Sequence, residues 1–233
     1  MDPTRIKHLL VPKFLVPILL ATATAWGFIE IADEVAEGET TAIDERIVLA
    51  MRTSDTHDPI GPAWFEEAMR DLTALGSTLV LSLVVLTVVG FLLFMRHWRV
   101  AIFTFAASVS GQLVSHLLKE AFGRPRPDLI PHEVAVFTHS FPSGHAMMSA
   151  VVYLTLASLA ARLMHRRHMK VYVLSVAIVF TILIGVSRVY LGVHWPSDVL
   201  AGWMIGASWA LACWLVAAKV GLGRNGSEQA RTQ

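Results

Sequence analysis

The sequence predicts an all-α fold: a bundle of six transmembrane helices, with a short interfacial helix in the first extracytoplasmic loop. Three observations predict it. Of 233 residues, 55% are hydrophobic and 16% charged, against about 25% charged in a soluble domain, and mean hydropathy is +0.57. Six apolar runs each approach the about 20 residues that cross a bilayer. Asp, Glu, Lys and Arg gather at the ends of these runs and are nearly absent from within them. At this length a single integral-membrane domain over residues 1–233 is expected.

The runs fall at roughly 14–31, 75–95, 100–118, 146–163, 171–187 and 199–218. The first follows a basic start (Arg5, Lys7, Lys13) and carries the small-residue stretch Ala21-Thr22-Ala23, a pattern shared with signal peptides. Apolar character continues through Trp26, Phe28, Ile29 and Ile31, which predicts a retained membrane anchor. The segment from Glu30 to Leu75 holds twelve Asp/Glu and three Lys/Arg. It reads as a solvated acidic loop over residues 32–74. Trp64, Phe65, Met69, Leu72 and Leu75 have helical spacing, so a helix along the outer interface is expected there. Cys213, the only cysteine, sits in an apolar run as a small buried residue and excludes an internal disulfide or a cysteine-based metal cluster.

Charge gives the orientation. Arg96 and Arg99, then Arg162, Arg166, Arg167 and Lys170, then Lys219, Arg224 and Arg231 fall on the same side as the basic start. By the positive-inside pattern that side, with both termini, is cytoplasmic. His97, His165 and His168 extend these basic loops. A net charge of +1 offers no bulk field for nucleic acid. Lys119, Arg124, Arg126 and Arg188 break the pattern, because they stand on the outer side, where basic residues are disfavoured.

Three outer segments explain them. In KEAFGRPRP, Lys119 ends the third span and Arg126 follows seven positions later. Gly123, Pro125 and Pro127 stop the helix and let the chain turn both cations toward one point. Arg offers a planar fork for phosphate oxygens and Lys a compact charge. In FPSGHAMMSAVVYL, Ser143 is an N-cap candidate, Gly144 leaves its N–H unobstructed, and His145 stands in the first turn. A helix N-terminus there is a natural anion site. In SRVYLGVHWPSD, Arg188 ends the fifth span, His194 lies in the loop and Asp198 opens the sixth, with Ser197 or Asp198 as a possible cap. An Asp near one ring nitrogen fixes a histidine tautomer and leaves the other nitrogen free to attack. Two histidines, one carboxylate, three cations, a hydroxyl and a helix N-terminus are the parts phosphoryl transfer needs.

In order and spacing these three segments resemble the signature motifs of the type 2 phosphatidic acid phosphatase superfamily. The resemblance covers roughly residues 70–220. It implies a cofactor-free, metal-independent phosphatase of a lipid substrate in a bacterial inner membrane, and the charge pattern puts its site at the outer face. It implies that His194 is the nucleophile, that Asp198 orients it, and that His145 is the acid and then the base. It further implies that Lys119, Arg126, Ser143, Gly144 and Arg188 hold the phosphate. Among lipid substrates the reading leans to undecaprenyl diphosphate, from orientation, size and bacterial membership, ahead of phosphatidylglycerophosphate and phosphatidic acid. Arg124 is not a motif position and reads as an interfacial anchor. His116, one turn before Lys119, reads as structural, His132 and His139 as loop residues, and Trp195 and Trp203 as packing or interface anchors. Two rivals are weaker. A lipid or ion transporter would carry charges inside its spans, and a vanadate-dependent haloperoxidase would lack six apolar runs.

Overall fold

A computed structural model describes residues 3–54, 58–127 and 138–222, with side chains described from Phe14 onward. Arg5, Lys7, Lys13, His132, Arg224 and Arg231 of the charge and loop readings lie outside the described side chains.

Every apolar run becomes a helix. The helices are α1 (Pro3–Glu37), α2 (Thr41–Ala50), α3 (Ala63–Ala74), α4 (Thr78–Phe94), α5 (Trp98–Phe122), α6 (Gly144–Leu163), α7 (Arg167–Tyr190) and α8 (Pro196–Lys219). No strand occurs among the described residues. Five helices are long and apolar enough to cross a membrane, α1 from Phe14, α5, α6, α7 and α8. A sixth crossing is reached if the bent pair of α3 and α4 counts as one span. α4 has 17 residues, which rise about 26 Å at 1.5 Å each, short of a hydrocarbon core of about 30 Å. α3 joins it through a 50° bend. The helix expected at the outer interface is α3, with Trp64 exposed and Met69 packed on Tyr190, Leu191 and Val193.

The first loop holds a second helix that the sequence pattern did not reveal. α2 seats Asp44 against the N-terminus of α8, with the residue 1% exposed. The acidic loop is therefore not uniformly solvated. Asp44 Oδ1 accepts the Ser197 N–H (2.9 Å) and Oδ2 accepts the Ser197 hydroxyl.

α6 is the central helix: 56% of its apolar window is buried, against 28% or less in the other four long spans. Met147, Met148, Val151 and Val152 pack on Leu81 and Val85 of α4. α8 reaches α6 through two glycines one turn apart. A Cβ on Gly202 would stand 2.7 Å from Ser143 O, and one on Gly206 2.6 Å from Met147 O. Small residues at this spacing let two membrane helices approach backbone to backbone. Residues Ala150–Leu154 of α6 form a π-helical turn. Within it Tyr153 donates its hydroxyl to Leu75 O (2.8 Å), tying α6 to the bend before α4. α1 packs along α8, with Phe28 and Ala32 against Phe141 and Ala201, and Ser208 donating to Ala21 O. Leu79, Phe94, Leu113, Leu117 and Tyr172 stay exposed on the bundle's outer face, as lipid-facing side chains do. Cys213 is a half-buried free thiol.

Candidate active site

The ends of α5 and α7 and the starts of α6 and α8 meet at one end of the bundle, as the three segments predicted. The loop after α1 folds over the same end. Thr73 accepts from Arg188 (2.9 Å), and Ile60 O accepts from the Tyr190 hydroxyl (2.8 Å).

Local sequence shapes each contribution. Gly123 ends α5 in the left-handed region (φ 58°), its N–H donating to Lys119 O, and releases the chain into Arg124-Pro125-Arg126. Ser143 caps α6 by accepting the Ala146 N–H (3.5 Å), and its own N–H donates to Asp198 O (2.9 Å). α8 starts at Pro196, whose missing N–H suits the first helical position. Its N-cap is Trp195, not Ser197 or Asp198. Asp198 lies three positions further on and accepts the Trp195 N–H (2.9 Å).

These ends enclose a cavity of about 330 Å³ lined by Lys119, Arg126, Arg188, His145, His194 and Gly144, among others. Three cations line it, and no carboxylate does among the described residues. Lys119 donates to His139 O (2.7 Å). Arg188 is 3% exposed, and its Nε finds no acceptor among the described residues. A buried donor without a partner costs about 1–3 kcal/mol, and an anion in the cavity would supply the acceptor. A Cβ on Gly144 would meet Lys119 Cε at 3.3 Å, so the glycine keeps the helix mouth open beside the ammonium. His116, expected to be structural, is also among the lining residues.

His194 is 1% exposed. Its Nε2 stands 3.1 Å from Arg126 Nη1. A guanidinium only donates, so Nε2 carries the lone pair and the ring proton sits on Nδ1. Nδ1 faces Ser140 Oγ (3.3 Å) and Asp198 Oδ2 (3.4 Å). Ser140 in turn donates to Asp198 Oδ2. Burial, then the charges of Arg126, Arg188, Lys119 and His145, hold the imidazole well below the usual histidine range. Burial also lowers Arg126 from the usual arginine range, with Asp198 opposing.

The structure thus gathers His194, His145, Asp198, Lys119, Arg126, Gly144 and Arg188 around one cavity, with Asp198 behind the His194 ring. Ser143 stands apart. It is fully buried, its hydroxyl is spent on the α6 cap, and it is not among the lining residues. Arg124 is not an interfacial anchor. Its Nη1 donates to Asp198 Oδ1 (2.7 Å) and Ser197 Oγ (2.8 Å), because a buried carboxylate there needs a counter-charge. Trp195 is buried beneath it, with the guanidinium carbon 5.7 Å from the ring centroid. Ser140, Thr73 and Asp44 were missed, since each is an isolated polar residue with no motif spacing.

A second, apolar cavity of about 270 Å³ adjoins the first and shares Thr78, Gln112 and Met148 with it. It opens between α4, α5 and α6 along Leu81, Val85, Leu86, Phe105 and Val109. A charged pocket continuous with an apolar groove can hold an amphiphile whose phosphate and tail part company at Thr78 and Gln112.

The fold and site define a membrane-embedded phosphate-handling bundle, and the chain belongs to the PAP2 superfamily, whose family model matches residues 100–221. Over 202 residues it is 34% identical to phosphatidylglycerophosphatase B of Bacillus subtilis (strain 168), covering 84% of this chain and 88% of that one. It is 33% identical over 135 residues to an undecaprenyl-diphosphatase of Sulfolobus acidocaldarius, covering 58% of this chain and 51% of the relative. The crystal structure of a transmembrane PAP2-type phosphatidylglycerolphosphate phosphatase from Bacillus subtilis matches with a TM-score of 0.77 and 29% identity, over 86% of this chain and 96% of that one. The chain is a membrane lipid phosphatase of this family.

Proposed function

We propose that the chain removes phosphate from a membrane lipid at the extracytoplasmic face through a phosphohistidine on His194. The observation that carries this is the His194 ring itself, with Nδ1 turned to Asp198 and Nε2 turned to the cationic cavity. In the first step the Nε2 lone pair forms an N–P bond as the P–O bond to the lipid breaks. His145, protonated alongside the bound phosphate anion, gives its proton to the departing oxygen. In the second step neutral His145 takes a proton from water, the hydroxide attacks phosphorus, and the N–P electron pair returns to Nε2. Lys119, Arg126, Arg188 and the Gly144 N–H stabilise the equatorial oxygens, and Ser143 contributes by fixing the start of α6. No cofactor takes part. The charge pattern supports the outward orientation, since the site shares its bundle end with the acidic first loop and the Lys/Arg clusters fall in the opposite connections; the bacterial relative supports an inner (cytoplasmic) membrane setting.

Among substrates, the match running over 88% of phosphatidylglycerophosphatase B favours phosphatidylglycerophosphate. This revises the lean toward undecaprenyl diphosphate, which stays as a second reading on the shorter match to an undecaprenyl-diphosphatase. The test is phosphate release by purified protein from both lipids, phosphatidic acid and a soluble ester, with His194→Asn alongside. Release from a lipid that vanishes in the variant supports the proposal. Turnover surviving in His194→Asn, or confined to the soluble ester, overturns it.

A further inference from the structure

The guanidinium of Arg124 is shared between two buried carboxylates. Its Nη1 donates to Asp198 Oδ1 (2.7 Å) and its Nη2 to Asp44 Oδ2 (2.9 Å), with Thr40 Oγ1 at 3.2 Å from Nη2. Asp198 is fully buried and Asp44 1% exposed. The opposite oxygen of Asp198, Oδ2, faces the nucleophile and accepts from Ser140 and the Trp195 N–H. Asp44 is itself held by the N–H and hydroxyl of Ser197, beside Asp198 in the chain. A line of contacts therefore runs from the first loop through Arg124 and Asp198 to His194 Nδ1. Asp44 lies outside residues 100–221, which match the family model.

We infer that Asp44 is a positioning residue for the nucleophile: by fixing the Arg124 fork, it keeps Asp198 Oδ2 turned toward His194 Nδ1. A guanidinium tends to grip a carboxylate with two parallel N–H groups. Asp44 and Thr40 occupy Nη2, so Arg124 can offer Asp198 only Nη1, on the oxygen away from the histidine. Without the Asp44 charge, the fork is free to close on both Asp198 oxygens and draw Oδ2 off the ring. The phosphate cradle of Lys119, Arg126 and Arg188 is not part of this line, so binding and chemistry separate.

The inference rests on the nucleophilic role of His194, and the test keeps the two apart. Asp44→Asn retains an oxygen for the Ser197 N–H but loses the charge on Arg124. Expected are a kcat lower by about tenfold to a hundredfold, the usual effect of losing a supporting contact behind a reactive ligand, with KM and the affinity for vanadate unchanged. Arg124→Lys should lose a similar factor, and the double variant little more than either single one, since both act on one contact line. The histidine ¹⁵N spectrum of the empty protein should show a single Nδ1–H tautomer of His194 in wild type and a mixture in Asp44→Asn. A kcat and a spectrum matching wild type overturn the inference. So does a loss of kcat matched by equal losses of vanadate binding and melting temperature, which is the signature of a scaffold contact. Turnover surviving in His194→Asn instead removes the nucleophile, and the ¹⁵N spectra then still report whether Asp44 orients the ring.

Discussion

Gly202→Ala adds one methyl group where α8 touches the mouth of α6. The new Cβ would stand 2.7 Å from Ser143 O, 3.0 Å from Ala146 Cβ and 3.1 Å from Met147 N, when ordinary contact begins near 3.4 Å. Two of those atoms are backbone and the third is a Cβ, so no flexible side chain can yield. The helices must part by about 0.7 Å, the shortfall at Ser143 O. Overpacking of this kind costs about 1–3 kcal/mol. The displaced atoms belong to Ser143, Ala146 and Met147; the Ser143 N–H is bonded to Asp198 O, and Gly144 and His145, which lie between them in the chain, line the cavity. Misplacement approaching 1 Å costs on the order of a hundredfold in rate, so activity should fall about tenfold or more in protein that remains folded. Gly90→Ala is the control, because nothing lies within 4 Å of its Cβ position. That change should leave activity alone and raise stability by about 0.5–1 kcal/mol through the helix preference of alanine. Denaturation in detergent and phosphate release from phosphatidylglycerophosphate measure both effects. A Gly202→Ala protein as stable and as active as Gly90→Ala would refute the account of α6–α8 packing.

Three further outcomes follow from the site. Ser140→Ala removes the hydroxyl donor to Asp198 Oδ2 and a contact of His194 Nδ1; at about 1–3 kcal/mol for the weakened buried carboxylate, kcat should drop about tenfold to a hundredfold at constant KM in steady-state phosphate release. The folded protein holds His194 neutral well below its ordinary value of 6.5, whereas the unfolded chain takes up that proton at about pH 6.5. The unfolded state therefore binds more protons as pH falls through this range, stability declines there, and His194→Gln should flatten the decline in melting temperature between about pH 7.5 and about pH 5. Chelation by EDTA should leave phosphate release unchanged, since side-chain cations line the cavity; loss of activity restored by added magnesium would contradict this.

Much of the architecture was legible because it rests on local pattern. Apolar runs become helices wherever they stand, and Gly123, Ser143 and Pro196 mark helix ends by their own backbone chemistry. The motif residues converge because helix ends of similar length must meet at one side of a bilayer. The remainder depends on contacts between distant parts of the chain. Asp44 is one of twelve acidic residues in its segment and differs from the others only by meeting Ser197 and Arg124. Arg124 looked free to reach a headgroup because nothing near it in sequence marks the two carboxylates that claim it. Ser140, directly before Phe141-Pro142-Ser143, takes its role only when the loop brings it against Asp198, 58 positions away. Arg188 ending a span was legible, while its partner Thr73, on the far side of the α3–α4 bend, was not.

The central claim is that His194 carries the phosphoryl group, and trapping that intermediate tests it most directly. A phosphate-labelled lipid analogue with a nitrophenyl leaving group, which departs without an acid, would be mixed with wild type and with His145→Asn, in which loss of the base slows hydrolysis of the intermediate. Both would be quenched in alkali, which preserves phosphohistidine, and the labelled peptide mapped. The account predicts an acid-labile label on His194 that accumulates in His145→Asn and is absent from His194→Asn. A label on another residue, or turnover by wild type with no covalent label in either protein, would contradict it.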